Sequence, residues 1–120
     1  MSPKFAFQRL EVYGVAKAVT QLTIDNRARW ADVPGELSDR LSRATLAMLA
    51  EIASGAAQTV RAEQKRHYQA ARGHANEAMS CVEVAQLHGA VPEELKQTLA
   101  TQLARVDTML HGMVKRRSST

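Results

Sequence analysis

The spacing of helix breakers limits the fold of this chain more than any other feature of its sequence. Only three prolines occur, Pro3, Pro34 and Pro92, and none lies between Leu37 and Leu87. That interval consists mainly of Ala, Leu, Glu, Gln, Arg and Met, which lose little side-chain freedom on entering a helix. A chain interrupted so rarely is predicted to form a few long helices joined by short loops.

Apolar residues recur at three- and four-residue steps in four segments, which is the pattern of amphipathic helices. The predicted helices cover approximately residues 7–24, 36–57, 59–88 and 92–115. Residues 25–35 contain Pro34 and Gly35 and are predicted to form a loop, in which Trp30 either covers the core or anchors an interface. The sequence therefore indicates an all-α fold, an antiparallel up-down-up-down four-helix bundle, in one domain covering residues 1–120.

Small residues mark places where helices are expected to approach closely. Gly73 lies in the middle of the third predicted helix, where glycine costs about 1 kcal/mol relative to alanine. We therefore expect a neighbouring backbone to pass close to it. The run from Ala53 to Ala57 has almost no bulk, which suits either a close crossing of the second and third helices or a contact with another chain.

Composition and cysteine content favour a cytoplasmic protein of bacterial type. Cys81 is the only cysteine, so no internal disulfide is possible, and no apolar run reaches the roughly 20 residues that span a bilayer. Residues 1–8 lack the apolar core of a signal peptide. We expect no contact with a membrane.

Histidine, glutamate and cysteine residues in the third helix raise the question of a metal site. Glu63 and His67 are four residues apart, and His74, Glu77 and Cys81 follow at helical steps. Di-metal bundles use Glu-x-x-His on two helices, whereas here the order is reversed and no second motif exists. Cys81 lies on an apolar face, where cysteine behaves as a small hydrophobe. We therefore expect no catalytic residue, no metal, no cofactor and no enzymatic activity.

Positive charge is concentrated in two segments. The net charge is +4, and the isoelectric point is about 9.6. Like charges four apart on a helix, such as Arg61 and Lys65, are slightly unfavourable locally but suit a surface that meets phosphates. The alternative is a merely solvated basic face. The candidate nucleic-acid-binding residues are Arg61, Lys65, Arg66, Lys115, Arg116 and Arg117.

Several motifs in consecutive order resemble one known family. Residues 7–16, Phe-Gln-Arg-Leu-Glu-Val-Tyr-Gly-Val-Ala, resemble the opening of the four-helix-bundle proteins encoded within intervening sequences of bacterial 23S ribosomal RNA genes. Residues 110–115, Leu-His-Gly-Met-Val-Lys, resemble the closing segment of that family. The second- and third-helix motifs, which we expect to be structural, contain Arg43, Ile52 and Gly55, and Arg72, Gly73 and Glu77.

The resemblance implies an up-down bundle that assembles as a homopentamer. Related bundles are accessory subunits of reverse transcriptases in diversity-generating retroelements, where a basic pentamer contacts RNA or DNA and the polymerase. Expected partners are thus other copies of the chain, RNA or DNA, and a nucleic-acid enzyme. The alternative is a protein–protein scaffold or accessory subunit that does not itself bind nucleic acid. We expect Arg72 and Glu77 to act as a charged pair in a buried or interfacial contact.

The chain departs from the family pattern at the end of the second predicted helix. The usual Asn-Ile-Ala-Glu-Gly is replaced by Glu51-Ile52-Ala53-Ser54-Gly55, and the aromatic residue and arginine that tend to follow are replaced by Ala56, Ala57 and Gln58. If those polar positions bind a ligand in relatives, this chain has an altered function.

Overall fold

The computed structural model describes residues 4–118, which form four long α-helices and no strand. The helices are α1 (Glu11–Asp25), α2 (Gly35–Ala57), α3 (Arg61–Leu87) and α4 (Glu93–Ser118). Two short 3-10 helices, Ala6–Arg9 and Arg27–Asp32, precede α1 and α2. The predicted all-α bundle is confirmed, and α2 and α3 share its most extensive packing.

The helix boundaries differ from the predicted ones by more than one residue at three places. The first predicted helix is interrupted at Leu10, whose extended backbone (φ −81°, ψ 127°) separates the first 3-10 helix from α1. The third helix begins at Arg61 and not at residue 59, because Val60 is also extended (φ −93°, ψ 126°). The fourth helix continues beyond residue 115 to Ser118.

Contacts between α2 and α3 pair residues in opposite order along the two helices. Late in α2, Glu51 Oε1 lies 3.1 Å from His67 Nδ1, early in α3. Earlier in α2, Arg40 Nε lies 3.6 Å from Glu77 Oε2, later in α3. This order, together with a loop of only three residues between the two helices, indicates antiparallel packing.

Contacts between α3 and α4 also pair residues in opposite order along the two helices. The first residue of α3, Arg61, donates from Nη2 to the carbonyl oxygen of Arg116 near the end of α4 (3.2 Å). Further along α3, Arg72 Nε donates to Oδ1 of Asp107 (3.0 Å), which lies earlier in α4. The start of α3 and the end of α4 therefore lie at the same end of the bundle.

Small and aliphatic side chains fill the core, as the scarcity of aromatic residues predicts. Two aromatic residues are nevertheless buried, Tyr68 and Trp30, which are 2% and 7% exposed. Trp30 lies in the second 3-10 helix and donates from Nε1 to the carbonyl oxygen of Thr23 (2.9 Å). Of the two roles expected for Trp30, covering the core is the one that its burial confirms. The fully buried residues include Ala16, Val19, Met48, Ile52, Val82, Leu99, Val106 and Leu110.

Two helical glycines have contrasting surroundings. A Cβ atom on Gly55 would lie 2.7 Å from Cε1 of Tyr68, so this glycine allows α2 and α3 to cross closely. Apart from its chain neighbours and the backbone of its own helix, no heavy atom of residues 4–118 would lie within 4 Å of a Cβ atom on Gly73. The expectation that a neighbouring backbone passes close to Gly73 is therefore wrong within this chain, because the residue lies on the exposed face of α3.

None of the helices formed by residues 4–118 combines the length and the hydropathy that crossing a membrane requires.

Candidate nucleic-acid interface

Cations from two helices meet at one end of the bundle. The hydrogen bond from Arg61 to the backbone of Arg116 places the first turn of α3 beside the last turn of α4. Lys65 follows Arg61 by four residues and so lies on the same edge of α3. Lys115 and Arg116 are exposed at the end of α4. We call Arg61, Lys65, Lys115, Arg116 and Arg117 together the basic end.

The helix dipoles act in opposite ways on these cations. The carbonyl end of α4 carries partial negative charge, which stabilises Lys115 and Arg116. The amide end of α3 carries partial positive charge, which Arg61 reinforces. The first turn of α3 therefore combines the Arg61 cation with peptide N–H groups that have no partner within the helix, and it also contains the Glu63 carboxylate.

The side chains of the basic end have no ion-pair partner in the part of the chain that the structure describes. Among the residues from 4 to 118, none of its five side chains forms an ion pair with Asp or Glu. Arg66 differs, because its Nη2 donates to Oε2 of Glu63 at 2.8 Å. That hydrogen bond and the Glu63 charge raise the pKa of Arg66 above its ordinary value. The Glu63 carboxylate therefore offsets the charge of Arg66.

Arg117 is held within the fold and is less exposed than its neighbours. Its Nε donates to Oε1 of Gln64 (2.9 Å), and its Nη1 donates to the carbonyl oxygen of Met113 (3.0 Å). Its guanidinium carbon lies 5.0 Å from the ring centroid of Tyr68. Burial raises the pKa of the Tyr68 phenol, and the Arg117 charge opposes that shift. Arg117 thus contacts both helices that form the basic end.

The residues Arg72 and Glu77 of the third-helix motif contact different helices. Arg72 binds Asp107 of α4 and also lies 3.1 Å from Nδ1 of His111. Glu77 contacts Arg40 of α2. The two side chains do not pair with each other, because they leave opposite edges of α3. Each residue instead ties α3 to one neighbour.

The remaining motif residues differ in burial. Ile52 is fully buried in the core, and Gly55 lies at the crossing of α2 and α3. Arg43 is exposed on α2. The positions of Ile52 and Gly55 fit a role in packing, while no hydrogen bond or ion pair among residues 4–118 explains Arg43.

The candidate metal ligands of α3 are dispersed among other partners. His67 contacts Glu51 of α2, and His74 Nδ1 lies 3.6 Å from Glu77 Oε1. Burial raises the pKa of the Cys81 thiol, and the nearby Glu77 charge raises it further. In the part of the chain that the structure describes, no three His, Cys, Asp or Glu residues are grouped to hold a metal ion.

Gln64 and Tyr68 contact the basic end but were not identified from the sequence. They follow Arg61 by three and seven residues, which places all three on one face of α3. This spacing could have identified both residues from the sequence. They were not identified, because a neutral amide and a phenol add nothing to the pattern of charges.

Comparison with protein-family models matches residues 8–112 to the 23S rRNA-intervening sequence protein family. No curated protein and no solved structure matches the chain. The matched range begins just before α1 and ends within α4, so it includes the whole of α1, α2 and α3. The order of motifs and the helical bundle agree with this match, and the chain therefore belongs to the 23S rRNA-intervening sequence protein family.

Proposed function

We propose that this protein is a non-catalytic, homo-oligomeric bundle that binds RNA, or another nucleic acid, through its basic end. The observation that carries the proposal is the meeting of Arg61 and Lys65 with Lys115 and Arg116 at one end of the fold. Phosphate groups are the ligands that such a cluster of cations favours, and releasing their counterions supplies most of the binding free energy.

The cations of the basic end differ in how much they contribute to this binding. Lys65, Lys115 and Arg116 have no carboxylate partner among residues 4–118, and the last two are exposed to solvent. Arg66 contributes less, because Glu63 offsets its charge. Aromatic residues make up only 4% of the chain, so base stacking is limited. The proposed binding is directed at the sugar–phosphate backbone and depends little on base sequence.

We further propose that the working form is a homopentamer in the bacterial cytoplasm, as family resemblance implies. Apolar side chains that remain exposed on the single chain support contacts between copies. They include Phe5, Leu46 and Leu87, which are 70%, 68% and 86% exposed. Several copies would multiply the phosphate contacts made by one basic end.

A salt titration with a pair of matched variants tests the binding proposal. The probe is a labelled single-stranded RNA of mixed sequence, about 20 nucleotides long, with its binding measured by fluorescence anisotropy. Lys115→Ala with Arg116→Ala removes two charges from the basic end. Arg27→Ala with Arg29→Ala removes the same charge from the second 3-10 helix. The 23 residues of α2, about 35 Å of helix, separate that control site from the basic end.

We expect the wild-type affinity to fall linearly with the logarithm of salt concentration. The Lys115/Arg116 variant should bind about tenfold more weakly, and its slope should fall by about 0.7 for each phosphate that the variant no longer neutralises. The Arg27/Arg29 variant should stay within about twofold of the wild type.

Two results would reject the proposal: no binding by the wild type at low salt, or equal weakening in the two double variants. Capture of a reverse transcriptase or another nucleic-acid enzyme after nuclease treatment would then favour the scaffold or accessory-subunit alternative.

A further inference from the structure

We infer that Gln64 and Tyr68 are positioning residues of the basic end, which act by holding Arg117 and with it the last turn of α4. The inference rests on the proposed function, because it concerns how the cations of that interface are presented. It also assigns Arg117 a role different from that of Lys115 and Arg116.

Arg117 is fixed by contacts with three residues. Its Nε donates to Gln64, its Nη1 donates to the backbone of Met113, and its guanidinium carbon lies over the ring of Tyr68, 5.0 Å from the ring centroid. A guanidinium held in this way has a defined orientation and only part of its donor set left for a ligand. Arg117 therefore acts as an anchor between α4 and α3, while its exposed neighbours face solvent.

Gln64 uses both ends of its side-chain amide. Its Oε1 accepts the hydrogen bond from Arg117, and its Nε2 donates to the carbonyl oxygen of Gln58 (2.7 Å). Gln58 is the first residue of the loop between α2 and α3. The amide thus links that loop to the end of α4, and the two bonds together fix which way it points.

Tyr68 supplies a second, rigid contact for Arg117. Its ring is 2% exposed and lies directly against Gly55 of α2, where a Cβ atom would be only 2.7 Å away. A ring packed this closely cannot follow a moving side chain, so its face fixes the guanidinium above it.

The anchor matters because the last turn of a helix frays. Lys115 and Arg116 belong to that turn in α4, and the only other bond in the described range that ties it to α3 is the one from Arg61 to the Arg116 carbonyl. If the turn frays, the two cations must be ordered again when phosphate binds, which lowers affinity without any change in charge.

Variants that keep the charge constant test this inference. Gln64→Leu removes the acceptor for Arg117, and Arg117→Lys keeps the cation but loses the forked donor group and the planar face. We expect each to weaken binding of the single-stranded RNA probe by about three- to tenfold at constant salt. Amide hydrogen exchange at residues 113–118 should become faster in both variants.

The controls make the same chemical changes away from the basic end. Gln69→Leu makes the same substitution at an exposed position of α3, and Arg43→Lys makes the same charge-conserving change at an exposed position of α2. Both should bind within about twofold of the wild type, because neither residue belongs to the basic end.

The outcomes separate this inference from the proposed function. In one outcome, the wild type binds RNA with the expected salt dependence while Gln64→Leu and Arg117→Lys bind as tightly as the wild type. That result would contradict the positioning role and leave the proposed RNA-binding function intact. If Arg117→Lys binds normally while Arg117→Gln does not, Arg117 contacts phosphate directly and the inference is overturned. No binding by the wild type would overturn both proposals.

Discussion

Gly55 is the residue whose size most directly controls how two helices pack. The ring of Tyr68 occupies the space where a Cβ atom would be, and that ring is buried and cannot move aside. We predict that Gly55→Ala lowers the free energy of unfolding by about 1–3 kcal/mol, because α2 and α3 must separate slightly. Urea denaturation followed by circular dichroism measures this change.

Gly73 provides the matched control for that measurement. It lies in the interior of α3, and no atom of another helix in the described part of the chain lies within 4 Å of its Cβ position. Gly73→Ala should raise the free energy of unfolding by about 0.5–1 kcal/mol, because alanine loses less backbone entropy in a helix. Destabilisation by both substitutions to a similar extent would contradict the close crossing at Gly55.

Asp107 gives the link between α3 and α4 a predictable dependence on pH. The hydrogen bond from Arg72 is the main reason that the pKa of Asp107 lies below its ordinary value, and Asn76 adds to the effect. A carboxyl group with a lowered folded-state pKa stabilises the fold above its unfolded pKa of about 3.9. That contribution is lost as the pH falls through the lower folded-state value.

We therefore predict that Asp107→Asn lowers the free energy of unfolding by about 1 kcal/mol at pH 7. The difference from the wild type should shrink as the pH falls from about 4 toward the lower folded-state value, below which the wild-type carboxyl group is also neutral. Denaturation curves at several pH values measure it. A difference that is the same at all of them would show that the charge of Asp107 is not responsible.

At the scale of single residues, the sequence identified the cations but not their partners. Arg66 and Lys65 are adjacent and equivalent in the sequence, yet only Arg66 is paired with Glu63. The contact of Arg117 with Tyr68 joins residues far apart in the chain. Such contacts depend on the rotation of each helix about its axis and on the register between helices, which apolar spacing determines only approximately.

At the scale of helices, periodicity predicted the long elements well and their beginnings less well. The apolar spacing continues through Leu10 without a break, although the backbone there is extended. A bond from the amide of Phe5 to Oε1 of Gln8 (2.8 Å) closes the preceding turn as a separate 3-10 helix. Local hydrogen bonds of this kind compete with helix formation and leave little trace in the hydrophobic pattern.

Two side-chain hydrogen bonds join the second 3-10 helix to α1, an exposed one from Arg27 to the Ile24 carbonyl and a buried one from Trp30. Trp30 donates to the Thr23 carbonyl, one of the last carbonyls of α1, which have no partner within the helix. We predict that Trp30→Phe, which keeps most of the apolar contact, lowers the free energy of unfolding by about 1 kcal/mol. Chemical denaturation measures this change.

The same residue provides a spectroscopic check. Trp30 is the only tryptophan, and it is 7% exposed, so the fluorescence of the folded protein should be blue-shifted relative to that of the unfolded chain. Emission at the same wavelength in both states would mean that the second 3-10 helix does not cover the core.

At the scale of the whole molecule, assembly is the most accessible quantity. We predict a solution mass five times the chain mass of 13.2 kDa, measured by light scattering over a range of protein concentrations. The mass should not depend on whether nuclease has been added, because protein surfaces and not bound RNA hold the copies together. A monomer mass at every concentration would contradict the predicted pentamer.

The overall architecture was predictable because few residues interrupt its helices. Short loops require neighbouring helices to run in opposite directions, so the start of α3 and the end of α4 must lie together. The basic end thus follows from topology and from two cationic segments of the sequence. The lack of carboxylate partners for the basic end within residues 4–118 could not be predicted from the sequence. It depends on which side chains Glu63 and Asp107 contact in the folded protein.

The location of these cations at one end gives the bundle a polar axis. If copies surround a rotation axis with their helices roughly parallel to it, every basic end faces the same side of the resulting ring. One rim would then be cationic and the opposite rim would lack that charge. Such a ring would approach an RNA strand with a single face, leaving the other available to a protein.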